Sequence, residues 1–382
     1  MKEKIKILTI SSNEIGGHPI KFAKLFNRVG ISNYINFNNP LNYYIKKSTD
    51  SAKFHGYDFD GISKYYLPVV GNSNFSFISS LYILIIKIFF KDIKIISYGS
   101  FNSHLFISPD YYITYGSDLH EILNSKYLKR SNLISHKINK MKMRIIFKNS
   151  KKIFIDMSFF SILDDEFKKL IEKKISPIPY ISLFEDKISL QKKSSDCLSI
   201  ILLSRIEFQP EGITDDKNIL EILNGINKLA GFTKKKIEIS LRNNIYIKKI
   251  KEVLNPTIKI TIINPIKRKE YHKIVSGHDI AIDTLGLPVL NYSAVESTQC
   301  GVITITNFNS KIYRNLLNPP IIKCKNSSEL FLLLKKLLNQ KNRSIYLRKI
   351  NLWRKKIKKN EIRLTKEWFK SFNLNFGNIE KY

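Results

Sequence analysis

The sequence predicts an α/β protein of two domains, each a parallel β-sheet covered by helices. Three observations predict it. Short apolar runs suited to strands alternate along the chain with segments of helical apolar spacing, as parallel sheets with crossover helices require. That rhythm stops at Ser176-Pro177-Ile178-Pro179-Tyr180 and restarts at Leu198. The chain has 382 residues, 43% of them hydrophobic, which is more than one ordinary domain and enough for two cores.

The elements follow in order. Residues 4–10 alternate charged with β-branched apolar side chains and read as the first strand, which runs into a loop carrying Gly16-Gly17-His18. Residues 19–29 place Ile20, Phe22, Ala23, Leu25, Phe26 and Val29 at helical spacing and stop at Gly30. Residues 81–90 are the longest apolar stretch, interrupted by Lys87 and far short of the ~20 residues that span a bilayer. They read as a buried helix of the first domain, the sharper alternative being a patch that dips into a membrane surface. Residues 93–97, 111–114 and 152–155 are further strands, and 137–148 a basic helix. Two prolines, Pro177 and Pro179, remove backbone donors and end the first domain.

After a polar connector over 185–196, residues 198–203 suit a buried parallel strand. An amphipathic helix over 218–229 follows, then strands over 236–241 and 258–263, a short helix over 269–275 and a strand over 280–283. Residues 294–300 form a helix closed by Gly301, with a strand over 302–305 directly behind it. From 327 onward the pattern is helical and basic, with Trp353 and Trp368 on a docking face. The predicted division is 1–184 as an acceptor-side domain, 185–350 as a nucleotide-binding domain and 351–382 as a helical tail that packs back on the first.

The balance of 64 Lys and Arg against 32 Asp and Glu leaves a formal charge of +32, a field that attracts anions. Nucleic acid, anionic lipid head groups and phosphorylated small molecules compete for it. Part of the excess reads as compositional bias, since Ile, Lys, Asn, Phe and Tyr are abundant together, as in A+T-rich genomes. The basic residues are spread along the chain, and no recognition helix, zinc finger or aromatic RNA-binding signature is present, so no nucleic-acid partner is expected. Three cysteines, Cys197, Cys300 and Cys324, are widely spaced with no Cys-x-x-Cys, which encodes neither a disulfide framework nor a zinc site. With a strand predicted almost from Met1, no secretory signal fits, and the expected address is the cytoplasm, with peripheral docking at the inner face of the cell membrane as the option the charge opens.

Two α/β domains enclose a cleft lined by loops at the carboxyl ends of their strands, and chemistry is expected there. The loop and helix from Asp283 to Gly301 are the most informative. A buried strand ends in an acid, a turn bearing Gly286 follows, and a helix opens with Glu296 in its first turn and closes on Gly301. Backbone N–H groups near Tyr292, Ser293 and Ala294 can receive a diphosphate while Glu296 accepts from a ribose diol. The plainer alternative is that Glu296 compensates the helix dipole and Gly301 caps the helix.

This stretch resembles the donor-site signature of GT-B glycosyltransferases of the large retaining family 4, through Glu296-Ser-Thr-Gln-Cys300-Gly301-Val302-Ile303. Upstream, Leu202-Leu203-Ser204-Arg205 followed by Lys217-Asn218 is similar to the Arg and Lys pair with which that family binds the donor diphosphate. Pro265 and Ile266 lie in a segment resembling the one whose backbone holds the nucleobase. Gly16 and Gly17 resemble the loop that opens toward the donor sugar, and Tyr115-Gly116-Ser117-Asp118-Leu119-His120 is similar to a Gly-Ser-Asp-Leu-Arg segment of bacterial relatives.

The resemblance implies a GT-B fold with C-terminal helices returning toward the first domain, and retaining transfer of a hexosyl-type sugar from a nucleotide sugar, with UDP favoured, to a glycan or lipid-linked glycan in cell-surface polysaccharide synthesis. Arg205 and Lys217 would stabilise the leaving diphosphate, and Asp118, with His18 or His104, would position substrate. Neither cofactor nor metal is expected. Asp58-Phe59-Asp60 has the metal-binding spacing of the other glycosyltransferase fold but reads as a surface turn. Two positions depart from the family: Pro288 stands where many members carry a first glutamate, and His120 where relatives often place arginine. A sugar-nucleotide epimerase, a non-catalytic sugar-nucleotide-binding relative and a basic nucleic-acid- or membrane-binding protein are the competing classes.

Overall fold

The computed structural model describes residues 6–11, 32–37, 63–66, 76–99, 106–114, 133–177, 197–204, 218–242, 246–264, 268–309, 317–370 and 372. The chain forms two compact units, Met1–Ile181 with Arg363–Tyr382, and Ser182–Ile362. Each is built on one parallel sheet.

The first sheet has seven strands: β1 (Lys6–Ser11), β2 (Ser32–Phe37), β3 (Ser63–Tyr66), β4 (Lys94–Tyr98), β5 (Tyr111–Ile113), β6 (Lys152–Ile155) and β7 (Ile175–Pro177). Their order is β3-β2-β1-β4-β5-β6-β7. The second has six: β8 (Cys197–Leu202), β9 (Lys236–Arg242), β10 (Lys259–Ile263), β11 (Ile280–Ile282), β12 (Ile303–Thr306) and β13 (Ile322–Lys323), in the order β10-β9-β8-β11-β12-β13. Both sheets run outward from their first strand in one direction, then reverse and continue on its other side, the doubly wound arrangement.

Register shows what covers each face of the first sheet, because paired residues of parallel strands point the same way. Leu8 pairs with Ile95, and Ser97, two residues further along the same face, pairs with Tyr112. Ile83 of the helix Ser76–Phe89 packs on Leu8 and Ile95. Tyr112 packs edge-on against Phe147, ring centroids 6.0 Å apart, and its hydroxyl lies 3.7 Å from the Met143 Sδ, both on the helix Leu133–Asn149. The two helices therefore cover the same face. On the other face, Phe154 stacks on Phe372 at 4.4 Å and Tyr111 meets the same ring edge-on at 5.0 Å. The Tyr111 hydroxyl donates to the Phe372 carbonyl at 2.5 Å, so the C-terminal segment is fastened into the first unit.

Two expectations change. The proline-bearing segment does not simply break the pattern: Ile175–Pro177 pairs with β6 as an edge strand, where a missing N–H costs no ladder bond. Residues 81–90 do lie on a helix and its end, but that helix is buried along one side only, with Ile88 at 57% and Phe89 at 76% exposure on the other. Trp353, predicted on a docking face, is buried. The helix predicted over 19–29, the connector over 185–196 and Asp58-Phe59-Asp60 lie outside the described residues.

The second unit's core is the Ile- and Leu-rich face of its sheet against the helices Ile219–Phe232 and Ser327–Leu337. Gly225 lets these two helices approach, since a Cβ there would sit 2.8 Å from the Leu330 Cδ2. Asn326 caps the second of them by accepting from the Glu329 N–H at 2.9 Å, while Glu329 accepts from the Lys325 N–H at 2.9 Å.

Asp110 directly precedes β5 and is buried; it accepts from the Ile95 N–H at 3.0 Å and pairs with Lys87 and Lys151, each at 3.1 Å. Burial alone would raise its carboxyl, but the Ile95 N–H and the two ammonium groups outweigh that and hold it below the ordinary value. A group lowered in this way stabilises the fold above its unfolded value of about 3.9, and the contribution disappears as pH falls through the folded value. Asp110→Asn should therefore lower the melting temperature near neutral pH, with the gap to wild type shrinking below about pH 4. Calorimetric melts across that range check this, and a constant gap contradicts it.

Candidate active site

In a doubly wound sheet, ligands bind outside the carboxyl ends of the strands where the strand order reverses. In the second unit that point lies between β8 and β11, whose carboxyl ends lead into Leu203-Ser204 and Asp283. The Asp283 side chain is the hub of this place. Its Oδ1 accepts from the Ser204 Oγ at 2.7 Å and the Ser293 Oγ at 3.1 Å, and its Oδ2 accepts from the Asn291 Nδ2 at 2.7 Å. Only 1% of the residue is exposed, so these three donors replace the water it has lost.

The loop from Asp283 to Asn291 is held along its length. Asn307 donates through Nδ2 to the carbonyls of Leu285 at 3.3 Å and Gly286 at 2.8 Å, and the Thr306 Oγ1 donates to the Thr284 carbonyl at 3.0 Å. Leu285, Leu287, Val289 and Leu290 are buried beneath it. The helix that follows is Tyr292–Gln299, with Asn291 as its extended N-cap. Asparagine at this position ordinarily accepts from the N–H groups of the first turn. Here its side chain makes no capping bond and donates to Asp283 instead. The helix start is thus left without a side-chain cap, next to the strand ends, in the arrangement that receives anions.

At its other end the helix closes as expected on a glycine. Gly301 has φ 78°, its N–H donates to the Thr298 carbonyl at 3.0 Å, and the Val302 N–H donates to the Ser297 carbonyl at 3.2 Å. These two bonds define a Schellman cap.

Glu296 requires a correction. It is the fifth residue of the helix and not in the first turn, because the helix begins at Tyr292, two residues before the predicted start, once Asn291 takes the N-cap. Compensation of the dipole at the helix start is therefore not its role, since that effect fades beyond the first turn. Its side chain is 13% exposed, with Oε2 3.9 Å from the His272 Nε2. Beside His272 on the helix Arg268–Ser276, the Tyr271 ring lies under the Arg242 guanidinium, 4.7 Å from the ring centroid. Burial pushes the Tyr271 hydroxyl above its ordinary range; Arg242 acts against this, and the Glu296 and Asp283 carboxylates add to it. Arg242, Tyr271, His272, Asp283 and Glu296 thus form one polar group around the reversal point.

Of the predicted site residues, the structure brings Tyr292, Ser293, Ala294 and Glu296 onto one helix directly after the loop bearing Gly286. Ala294 departs from the expectation: the residue is fully buried and its N–H already donates to the Asn291 carbonyl at 3.1 Å, so it offers a ligand no free group. Arg205, Lys217, Asp118, Pro265, Ile266, Gly16 and Gly17 lie outside the described residues, as do His18, His104 and His120. Sequence reasoning missed Arg242, Tyr271 and His272 as site residues. The signal for Arg242 was available, since it ends β9 and so stands at a strand's carboxyl end. Two neighbours are structural: Asp279 accepts from the Ser199 N–H and Oγ, each at 3.1 Å, and His278 is bonded to the Ile274 carbonyl and the Ser240 Oγ, each at 2.8 Å. Among the described residues no group of three or more His, Cys, Asp or Glu side chains is placed to hold a metal ion.

No protein-family model matches the sequence, and no curated protein matches it. Solved structures do match in fold. TarM aligns with TM-score 0.64 and 10% identity over 98% of this chain and 99% of its own. WaaG, described as a glycosyltransferase involved in lipopolysaccharide biosynthesis, aligns with TM-score 0.57 and 11% identity over 92% and 95%. The UDP-GlcNAc 2-epimerase of Neisseria meningitidis, bound to UDP-GlcNAc, aligns with TM-score 0.52 and 12% identity over 90% and 94%. The chain has the GT-B fold.

Asp283→Ala should leave the Asn291 amide and two hydroxyls without their charged acceptor and lower the stability of the second unit by about 3 kcal/mol, since bonds to a charged group contribute ~1.5–3 kcal/mol each before rearrangement. Urea unfolding measures this. Ser204→Ala, which removes one of the three bonds, should cost less than half as much.

Proposed function

We propose that the chain is a glycosyltransferase that moves a hexosyl-type sugar from a nucleotide sugar, UDP-linked by preference, to a glycan or lipid-linked glycan acceptor in cell-surface polysaccharide synthesis, with retention of configuration. The observation that carries the reading is the start of the helix Tyr292–Gln299 at the strand-order reversal, where the Asn291 side chain bonds Asp283 and not the helix, with the partly exposed Glu296 carboxylate one turn further along the same helix. In this reading the donor diphosphate lies against the start of that helix at Tyr292 and Ser293, and Glu296 accepts hydrogen bonds from the ribose hydroxyls. Arg205 and Lys217 stabilise the departing diphosphate, Gly286 and the loop with Gly16 and Gly17 admit the sugar, the Pro265-Ile266 backbone holds the base, and Asp118 positions the acceptor.

The reaction breaks the bond from the anomeric carbon to the diphosphate oxygen and forms one to the acceptor oxygen on the same face. The acceptor proton passes to the departing phosphate, so no separate base is required; positioning and charge stabilisation are the protein's share. No metal or organic cofactor is part of the proposal. Support for the transferase class comes from the GT-B neighbours, WaaG among them.

A second reading, epimerisation of a sugar nucleotide, is favoured by the His272 and Glu296 side chains, 3.9 Å apart, which could exchange protons with a bound sugar, and by the epimerase among the fold neighbours. Incubation with UDP-GlcNAc and no acceptor separates the two: a new epimer supports this second reading, whereas transfer that needs an added acceptor supports the first.

Binding is tested by thermal shift with nucleoside diphosphates and nucleotide sugars. A ligand present at ~100 times its dissociation constant stabilises by about 2.7 kcal/mol, a shift of several degrees for a unit of this size. UDP or a UDP-sugar should give that shift, and Glu296→Ala should abolish most of it while leaving the unliganded melting temperature close to wild type. An equal shift in wild type and variant would remove Glu296 from the site.

A further inference from the structure

We infer that the first unit docks onto an anionic bilayer surface through the outward sides of the helices Ser76–Phe89 and Leu133–Asn149. This goes beyond the donor site, all of whose described residues belong to the second unit, and it holds whichever sugar-nucleotide reaction occurs there. The two helices cover one face of the first sheet, and their C-terminal ends meet at one carboxylate: Lys87 near the end of one and Lys151 just past the end of the other both pair with Asp110 at 3.1 Å. They lie over neighbouring strands of that face.

Each inner side packs on the sheet, through Ile83 on the first helix and Met143, Ile146 and Phe147 on the second. Each outer side carries an apolar stripe at helical spacing. On the first these are Leu81, Ile85, Ile88 and Phe89, exposed by 41%, 42%, 57% and 76%, with Phe90 at 52% just beyond the helix. On the second they are Ile138, Met141 and Ile145, at 44%, 57% and 44%. Scattered exposed apolar side chains need no account, but two adjacent stripes of them do.

Charge selects the occupant. Neither helix contains Asp or Glu, and exposed Lys137 and Lys148 flank the second stripe while Lys91 follows the first. A second copy of the chain would bring the same cations against these, whereas anionic head groups neutralise them as the stripes enter the acyl boundary, the mode of interfacial helices. No helix among the described residues is long and apolar enough to cross a membrane. The contact is therefore one of lying on the surface.

Co-sedimentation with phosphatidylcholine vesicles, with and without about 30 mol% phosphatidylglycerol at near-physiological salt, tests this. Wild type should partition onto the anionic vesicles and barely onto the neutral ones. Ile88→Ser/Phe89→Ser/Phe90→Ser should reduce that partition at least tenfold, and Lys137→Gln/Lys148→Gln about fivefold per cation removed. Both variants should keep the wild-type melting temperature and any UDP-induced shift, so loss of docking and failure of the nucleotide reading are told apart. Equal binding to both vesicle types, no binding to either, or unchanged binding by the serine variant overturns the inference. So does a wild-type dimer in sedimentation velocity that the serine variant makes monomeric, which would assign the face to self-association.

Discussion

The interaction on which the candidate site depends is the acceptance of three side-chain hydrogen bonds by the buried Asp283 carboxylate. Ser204 ties it to the end of β8, Asn291 to the N-cap of the following helix and Ser293 to that helix's first turn. The choice made by Asn291 follows from magnitudes. An asparagine capping a helix contributes ~1 kcal/mol, whereas a hydrogen bond to a charged group contributes ~1.5–3 kcal/mol. Asp283 therefore draws the amide away from the helix start, and one carboxylate both fastens the loop and keeps the Asn291 side chain from capping the helix. Function and rigidity here share a cause.

The direction of Glu296 is set by the opposite side of the same helix. Ser297 Oγ and Thr298 Oγ1 both bond the Ala294 carbonyl and the Thr304 Oγ1 of β12, at 2.8 to 3.0 Å, and all three hydroxyls are buried. Small polar side chains let helix and strand come close, as larger apolar ones would not. Successive helical residues are ~100° apart, so fixing Ala294, Ser297 and Thr298 against the sheet turns Glu296 to the side away from it, toward His272. The Schellman cap at Gly301 then returns the chain at once into β12.

Much of this was legible in the sequence. Five of the second sheet's six strands came out within one or two residues because Ile-rich runs such as 198–203 and 280–283 are bounded by polar turns, and Gly301 marked the helix end; the two-residue β13 is too short to carry a pattern. The helix Ile247–Val253 went unread although Ile247, Ile250 and Val253 stand at helical spacing, because seven residues with one fully buried side chain make a short signal among many lysines. The edge strand β7 was hidden by Pro177, a residue that argues against strands except at an edge, and edge position is a tertiary fact. The grouping of Arg242, Tyr271 and His272 around Glu296 was likewise illegible, since it joins a strand end to two helices distant in sequence. The misplaced turn of Glu296 is different. Asn291 is a good N-cap residue, and taking it as the cap puts the helix start at Tyr292 from sequence alone.

The composition acquires a structural meaning once the first sheet's two faces are compared. One face is closed by the aromatic contacts of Phe372 with Tyr111 and Phe154. The other is closed by two helices that remain apolar on the side turned from the sheet and carry cations without a single acid. Codon bias toward Ile, Phe and Lys raises the count of such residues everywhere, but it cannot sort them by face. A bias without selection for placement would scatter Asp and Glu among them as the rest of the chain does. The stripes at helical spacing and the convergence of Lys87 and Lys151 on Asp110 are ordered in space, and order of that kind is what a surface with a partner has.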